Sequence, residues 1–171
     1  NTGGPPGGTV INATIADFLT AYHNHLLCNH LLATTFLPGM KNAGFGRIIN
    51  IISTSVKEPI EGLGVSNSTR WAVASWAKTL ASEVGQFGIT VNKVLPGFTK
   101  TGRLDEIIEK KAASAKETRE IIEAAMIAQV PLKRFALAQE IAAGVAFLAT
   151  PAAGYITGIN LPIDGGRTKS L

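Results

Sequence analysis

The side chains able to do chemistry gather in one stretch of the sequence. Ile48-Ile49-Asn50-Ile51-Ile52 is apolar and β-branched apart from one Asn. It breaks into Ser53-Thr54-Ser55, crosses a loop with Pro59, Gly62 and Gly64, and enters a helical pattern carrying Ser66 and, one turn on, Arg70. An apolar run of this length between turn signals predicts a strand buried on both faces of a parallel sheet. The hydroxyls directly after it then sit at the carboxyl end of the strand, where open α/β sheets hold their ligands. A hydroxyl there can bond a polar ligand, and a guanidinium supplies a charge that does not titrate away. The other candidates are weaker. His25 and His30 are five residues apart, off the i, i+4 face of a two-histidine metal site, with no Glu in the metalloprotease position, so no metal is expected. All three histidines lie on one distant helix and no Gly-x-Ser-x-Gly elbow occurs, which leaves a Ser-His-Asp hydrolase a poor fit.

The elements that must position these groups alternate along the chain. Asn1 to Gly8 is Gly/Pro turn chemistry, with neither a dinucleotide fingerprint nor a P-loop. Thr14 and Asp17 form a capping-box pair for a long helix with Ile15, Phe18, Tyr22, Leu26, Ala33 and Leu37 on one face, ending near Pro38-Gly39. A strand follows over 47–53, then a helix over 66–86 with Val73, Trp76, Ala77, Leu80 and Val84 inward. A second strand over 88–95 closes at Pro96-Gly97 and completes a βαβ unit. From Arg103 to about Ala128 the pattern is helical with a polar middle, readable as two helices forming a movable cover or as one solvated helix. Gln139 to Thr150 is a helix with Ile141, Val145 and Leu148 inward, and 156–163 is a third strand. The fold class is α/β, a Rossmann-like doubly wound parallel sheet represented by its C-terminal part, in a single domain over 1–171.

Composition bounds the function. The 171 residues are 46% hydrophobic and 16% charged, a globular balance. The net charge of +4 is scattered without a basic stripe, so nucleic acid is not an expected partner. No stretch reaches the length of a membrane span. The single cysteine, Cys28, in an apolar helical stretch, reads as a small core residue; it excludes an intrachain disulfide framework and fits a reducing, cytoplasmic setting. The chain opens without Met inside a loop, as a fragment would.

The ordered motifs resemble the short-chain dehydrogenases/reductases, closest to the 3-oxoacyl-acyl-carrier-protein reductase branch. Asn1-Thr2-Gly3 is similar to the end of the family's Asn-Asn-Ala-Gly motif, and Asn24 falls where the family keeps an active-site Asn. Gly46 to Ser53 resembles the strand that delivers the catalytic Ser. Pro96-Gly97-Phe98-Thr99-Lys100-Thr101 resembles the turn that contacts nicotinamide. Pro131 to Phe135, and Tyr155-Ile156-Thr157-Gly158 through Asp164-Gly165-Gly166, resemble the C-terminal signature. The resemblance implies NADP or NAD as cofactor and a small-molecule carbonyl or acyl thioester as substrate, with hydride transfer between them. It also implies a homo-oligomer, dimer or tetramer, paired through the helix at 66–86 and the C-terminal helix and strand.

By the same resemblance Ser53, Asn24, Ser66 and Arg70 are the candidate catalytic residues. Asn1, Gly3, Arg70, Pro96, Gly97, Thr99 and Thr101 are the candidate cofactor contacts. Ser53 orients a carbonyl or satisfies the backbone at a strand end; Asn24 relays protons or makes a helix-to-strand bond. Ser66 reads first as a helix N-cap. Thr101 contacts the carboxamide or caps the next helix. Two departures stand out. The family's N-terminal strands and Gly-rich pyrophosphate turn are absent from this chain, which by itself is expected to be inactive. Its Tyr-x-x-x-Lys is replaced by Ser66-x-x-x-Arg70. A cation beside a phenol lowers its pKa from about 10 toward neutrality, which a serine hydroxyl does not match, and a guanidinium does not replace lysine one for one. A non-catalytic member that binds nucleotide, regulates or assembles is the alternative expectation.

Overall fold

A computed structural model describes residues 4–170. Three parallel strands, β1 (Gly46–Ile51), β2 (Ile89–Pro96) and β3 (Asn160–Ile163), form one sheet in that spatial order. Helices α1 (Ile15–Tyr22), α2 (Cys28–Ala43) and α3 (Gly64–Val84) precede β2. Helices α4 (Gly102–Ala115), α5 (Arg119–Ala128) and α6 (Ala138–Ala149) follow it. The α/β class and the parallel arrangement agree with the sequence reading.

The alternation of side chains along β2 sorts the core onto its two faces. Ile89 and Val91 pack with Ala33 of α2 and Ala77, Leu80 and Val84 of α3, and Leu95 packs with Val73. On the other face Val94 meets Ile141 and Leu148 of α6. Every β2 residue from Ile89 to Leu95 is buried, the polar Thr90, Asn92 and Lys93 included.

Several boundaries differ from the expectation, each for a local reason. β1 stops at Ile51 because Ser53, in extended geometry, accepts a bond from the Ser55 amide and turns the chain. The predicted helix over 14–37 is split by a π-helical turn, His23–Leu27, and then runs past Pro38 to Ala43. Pro38 removes one backbone donor, but Leu37 and Met40 pack into the core and Gly44, at φ 60°, supplies the left-handed cap. Ile15, expected on the inner face, is 76% exposed. Thr14 and Asp17 form the predicted capping box.

The 103–128 segment is two helices: Lys116 takes φ 56°, and Thr118 caps α5 through the Ile121 amide. The third strand begins only at Asn160; before it the Asn92 side chain shares the pairing with the backbone bonds from Gly158 N to Val91 O and from Lys93 N to Ile159 O. Asn92 Nδ2 donates to Ile156 O at 2.7 Å and its Oδ1 accepts from Ile159 N at 3.2 Å, while Thr157 Oγ1 takes the Val91 amide at 3.0 Å.

Candidate functional site

The carboxyl ends of the three strands carry the site. Ser53 leaves β1, and its Oγ accepts from Ser55 N at 3.0 Å, so the hydroxyl oxygen is fixed while its proton stays available to donate. The backbone reading of Ser53 therefore holds, and the bond leaves its proton free. The turn Thr54–Val56 that follows is buried, and Ser55 O receives the indole N–H of Trp71 at 2.9 Å, tying α3 to this turn beside Arg70.

Ser66 is not the N-cap that the sequence suggested. Leu63 holds the cap position without a side-chain bond, and α3 begins at Gly64, which places Ser66 inside the first turn. The entry is anchored by Asn67, whose amide group bonds both the N–H and the C=O of Ile60. Gly64 also packs against Val10, where a Cβ would fall 2.4 Å from the valine side chain. This contact explains the early helix start and was invisible in the local sequence. Arg70 lies one turn after Ser66 with its Nε–H buried and without a partner, and no ion pair among the described residues includes it. Burial alone pulls its pKa below the usual guanidinium range.

Asn24 is exposed, and its neighbour His25 turns inward, only 5% exposed. The two lie on the π-helical turn, a wide turn of the kind that recurs at functional sites. Burial first, and the Arg70 charge second, push the His25 pKa down to about 4, so the imidazole is neutral at physiological pH. Sequence reasoning missed His25 because helical counting at 3.6 residues per turn cannot anticipate the extra residue of a π-turn.

The turn after β2 is built for close approach. Gly97 N donates to Ile163 O at 2.9 Å, and a Cβ on Gly97 would lie 2.6 Å from Asp164 Cα. Thr99 Oγ1 bonds Gly97 O at 3.0 Å. Thr101 precedes α4 at the cap position, but its hydroxyl makes only a 3.4 Å contact to Thr99 O and no cap bond, correcting the capping alternative. Pro96 ends β2, Phe98 meets Phe135 edge to face at 6.2 Å, and Asn1 and Gly3 lie outside the described residues. The described residues thus fit the nicotinamide–ribose end of a dinucleotide: glycine where backbone must approach, two threonine hydroxyls, and an unpartnered guanidinium N–H at Arg70. They include no Gly-rich pyrophosphate turn.

The tail after β3 also reaches the site, which the sequence did not suggest. Arg167 stacks over the Phe98 ring at 4.4 Å and extends toward Thr54 Oγ1 at 3.4 Å. Phe98 and Asp164 further line a cleft of about 90 Å³ with Val130, Leu132 and Ile163. Among the described residues no group of three or more His, Cys, Asp or Glu side chains could hold a metal ion, and no helix is long and apolar enough to cross a membrane.

Comparison with known proteins gives a consistent picture. A family model described as "Enoyl-(Acyl carrier protein) reductase" matches residues 1–168. The chain is 35% identical over 132 residues to the NADPH-dependent reductase BacG of Bacillus subtilis, covering 77% of this chain and 51% of that protein. It is 38% identical over 144 residues to the 3-oxoacyl-[acyl-carrier-protein] reductase FabG of Pseudomonas aeruginosa, covering 81% and 52%. The chain therefore spans about half the length of the curated relatives it matches. Among solved structures, YwfH, an NADPH-dependent reductase involved in bacilysin biosynthesis, superposes with TM-score 0.94 at 31% identity, over 100% of this chain and 66% of that one. The actinorhodin polyketide ketoreductase F189W with NADPH gives 0.92 at 29% identity, over 99% and 66%.

Proposed function

The chain belongs to the short-chain dehydrogenase/reductase family, and on that premise we propose that it forms the substrate-binding portion of an NAD(P)-dependent oxidoreductase that interconverts a carbonyl and an alcohol. Ketones and 3-oxoacyl thioesters are the substrates to test first. The observation that carries the reading is Ser53. It sits at the carboxyl end of β1 with its oxygen held by the Ser55 amide and its proton free to donate to a carbonyl oxygen. A bound nicotinamide cofactor would supply the hydride. Ser53 orients the carbonyl, and Arg70 holds ribose hydroxyls while its fixed charge favours negative charge developing on the substrate oxygen. Pro96 and Gly97 shape the turn whose Thr99 and Thr101 hydroxyls face the carboxamide. Ser66 and the neutral His25 stand near Arg70, and proton movement through them is weaker than through the tyrosine they replace, because neither is an acid near neutrality. Steady oxidation of NADPH by the whole protein with a panel of 3-oxoacyl thioesters and simple ketones supports this reading; silence with every carbonyl counts against it.

The replacement of Tyr-x-x-x-Lys by Ser66 and Arg70 favours a second reading, a family member that binds nucleotide and assembles without turnover. The double variant Ser66→Tyr/Arg70→Lys separates the two. Activity that appears only in the variant supports the non-catalytic role, and activity in the natural sequence excludes it. Self-association is part of either reading, supported by the exposed apolar side chains Leu19, Leu31, Leu32 and Phe36 on α1 and α2 and Trp71 on α3. Sedimentation of the purified protein tests it.

A further inference from the structure

Arg167 enters the site from the end of the chain and has no part in the hydride chemistry above. Residues 164–170 leave β3 under the hold of two carboxylates. Asp164 accepts from Gly166 N at 3.0 Å and Thr168 N at 2.8 Å, and Glu58, beyond β1, accepts from Lys169 N and Ser170 N at 3.0 Å each. Between these anchors the Arg167 guanidinium sits over the Phe98 ring, 4.4 Å from its centroid. Its Nη1 contact to Thr54 is long and weak, and its Nε–H is buried without a partner. A buried donor left unmet is costly, and a planar guanidinium is the group best shaped to meet a carboxylate or phosphate through two parallel bonds.

No side-chain carboxylate among the described residues fills that role. Asp164 is close enough for the Arg167 charge to act on it, yet its oxygens take backbone amides and the two form no ion pair. Burial opposes Asp164's ionisation, but those bonds and that charge outweigh it and hold its carboxyl below the usual range. Glu58 is occupied by the tail. A second guanidinium with an unmet buried Nε–H, Arg70, stands on the helix tied by Trp71 to the turn that Arg167 touches. This end of the sheet therefore presents two cations, each with an unmet Nε–H.

We propose that Arg167, beside the Ser53–Val56 turn, receives the carboxylate or phosphate of the substrate, so that the chain acts on anionic carbonyl compounds. The inference rests on the carbonyl-reductase reading for its use and is tested apart from it by binding. Calorimetry with the whole protein compares malonate with its neutral counterpart malonamide. Malonate is expected to bind and malonamide not. Arg167→Gln is expected to weaken malonate at least tenfold without moving the melting temperature, and Arg167→Lys, which keeps the charge but not the fork, to recover only part of it. Equal binding of the two probes, or unchanged malonate affinity in Arg167→Gln, overturns the proposal. Repeating the titration under saturating NADPH separates the sources of anion: retained affinity supports a substrate site, whereas its loss assigns the guanidinium to the cofactor's phosphates and overturns the substrate class. If turnover is found, Arg167→Gln raises KM for oxaloacetate at least tenfold and leaves KM for cyclohexanone unchanged. A protein silent toward every carbonyl refutes the reductase reading while the malonate result stands or falls separately.

Discussion

Replacing Asn92 tests the logic by which the sheet reaches its third strand. Asn92 is 1% exposed, and its amide bonds Ile156 O and Ile159 N, beside the backbone bonds from Gly158 N to Val91 O and from Lys93 N to Ile159 O. Asn92→Ala strands both groups. Each buried, unsatisfied polar group costs about 1–3 kcal/mol, so the loss is about 2–4 kcal/mol when water meets part of the need. For a chain of this size that lowers Tm by about 5–15 °C. Thermal unfolding followed by circular dichroism reads the total, and hydrogen exchange locates it: the Ile159 amide loses protection first. Asn92→Asp sharpens the test. The ionised carboxylate keeps the acceptor for Ile159 N but sets an oxygen against Ile156 O in a buried place, which raises its folded pKa. A protonated Asp restores the donor, so the deficit relative to the natural protein is smallest below the unfolded Asp pKa of about 4, grows as pH rises from there, and is full above the raised folded pKa. A loss under 0.5 kcal/mol in Asn92→Ala, or an Asn92→Asp deficit independent of pH, refutes the side-chain ladder.

Three further outcomes follow from particular contacts. Glu140 accepts two bonds from Arg134 and one from Leu137 N, which pull its pKa down to about 2. The stability it contributes is full above its unfolded pKa and fades as pH falls toward 2, and Glu140→Gln should flatten that part of a denaturant-midpoint profile. His25, held near pKa 4 by burial and by Arg70, contributes stability that is full above the unfolded value of about 6.5 and is lost as pH falls through that window. Ring-proton NMR should show its midpoint rising in Arg70→Gln, and an unmoved midpoint would disprove the coupling. Gly97→Ala places a methyl 2.6 Å from Asp164 Cα, so urea unfolding should report a loss of about 1–3 kcal/mol from the strained strand ends.

Much of this architecture is written in short-range pattern. The apolar run of β1, the helix faces of α3 and α6, the Thr14–Asp17 capping box and the replacement at Ser66 and Arg70 need only neighbours within a few positions. Periodicity and cap chemistry therefore reveal them. The limits appear where a residue's role depends on something distant. Ser66 lost its cap role because Gly64 packs against Val10, more than fifty positions earlier. His25 rather than Asn24 faces inward because one π-turn shifts the register. Arg167 meets Thr54 across 113 positions of sequence, and Asn92 completes a strand more than sixty residues away. Sequence alone determined the order of strands and helices and the chemical types available at the strand ends, because hydrophobic burial with fixed periods of two and 3.6 leaves few alternatives. The tertiary structure alone decided which of those groups meet, because pairing of buried donors and acceptors is a property of the packed chain and not of any segment within it.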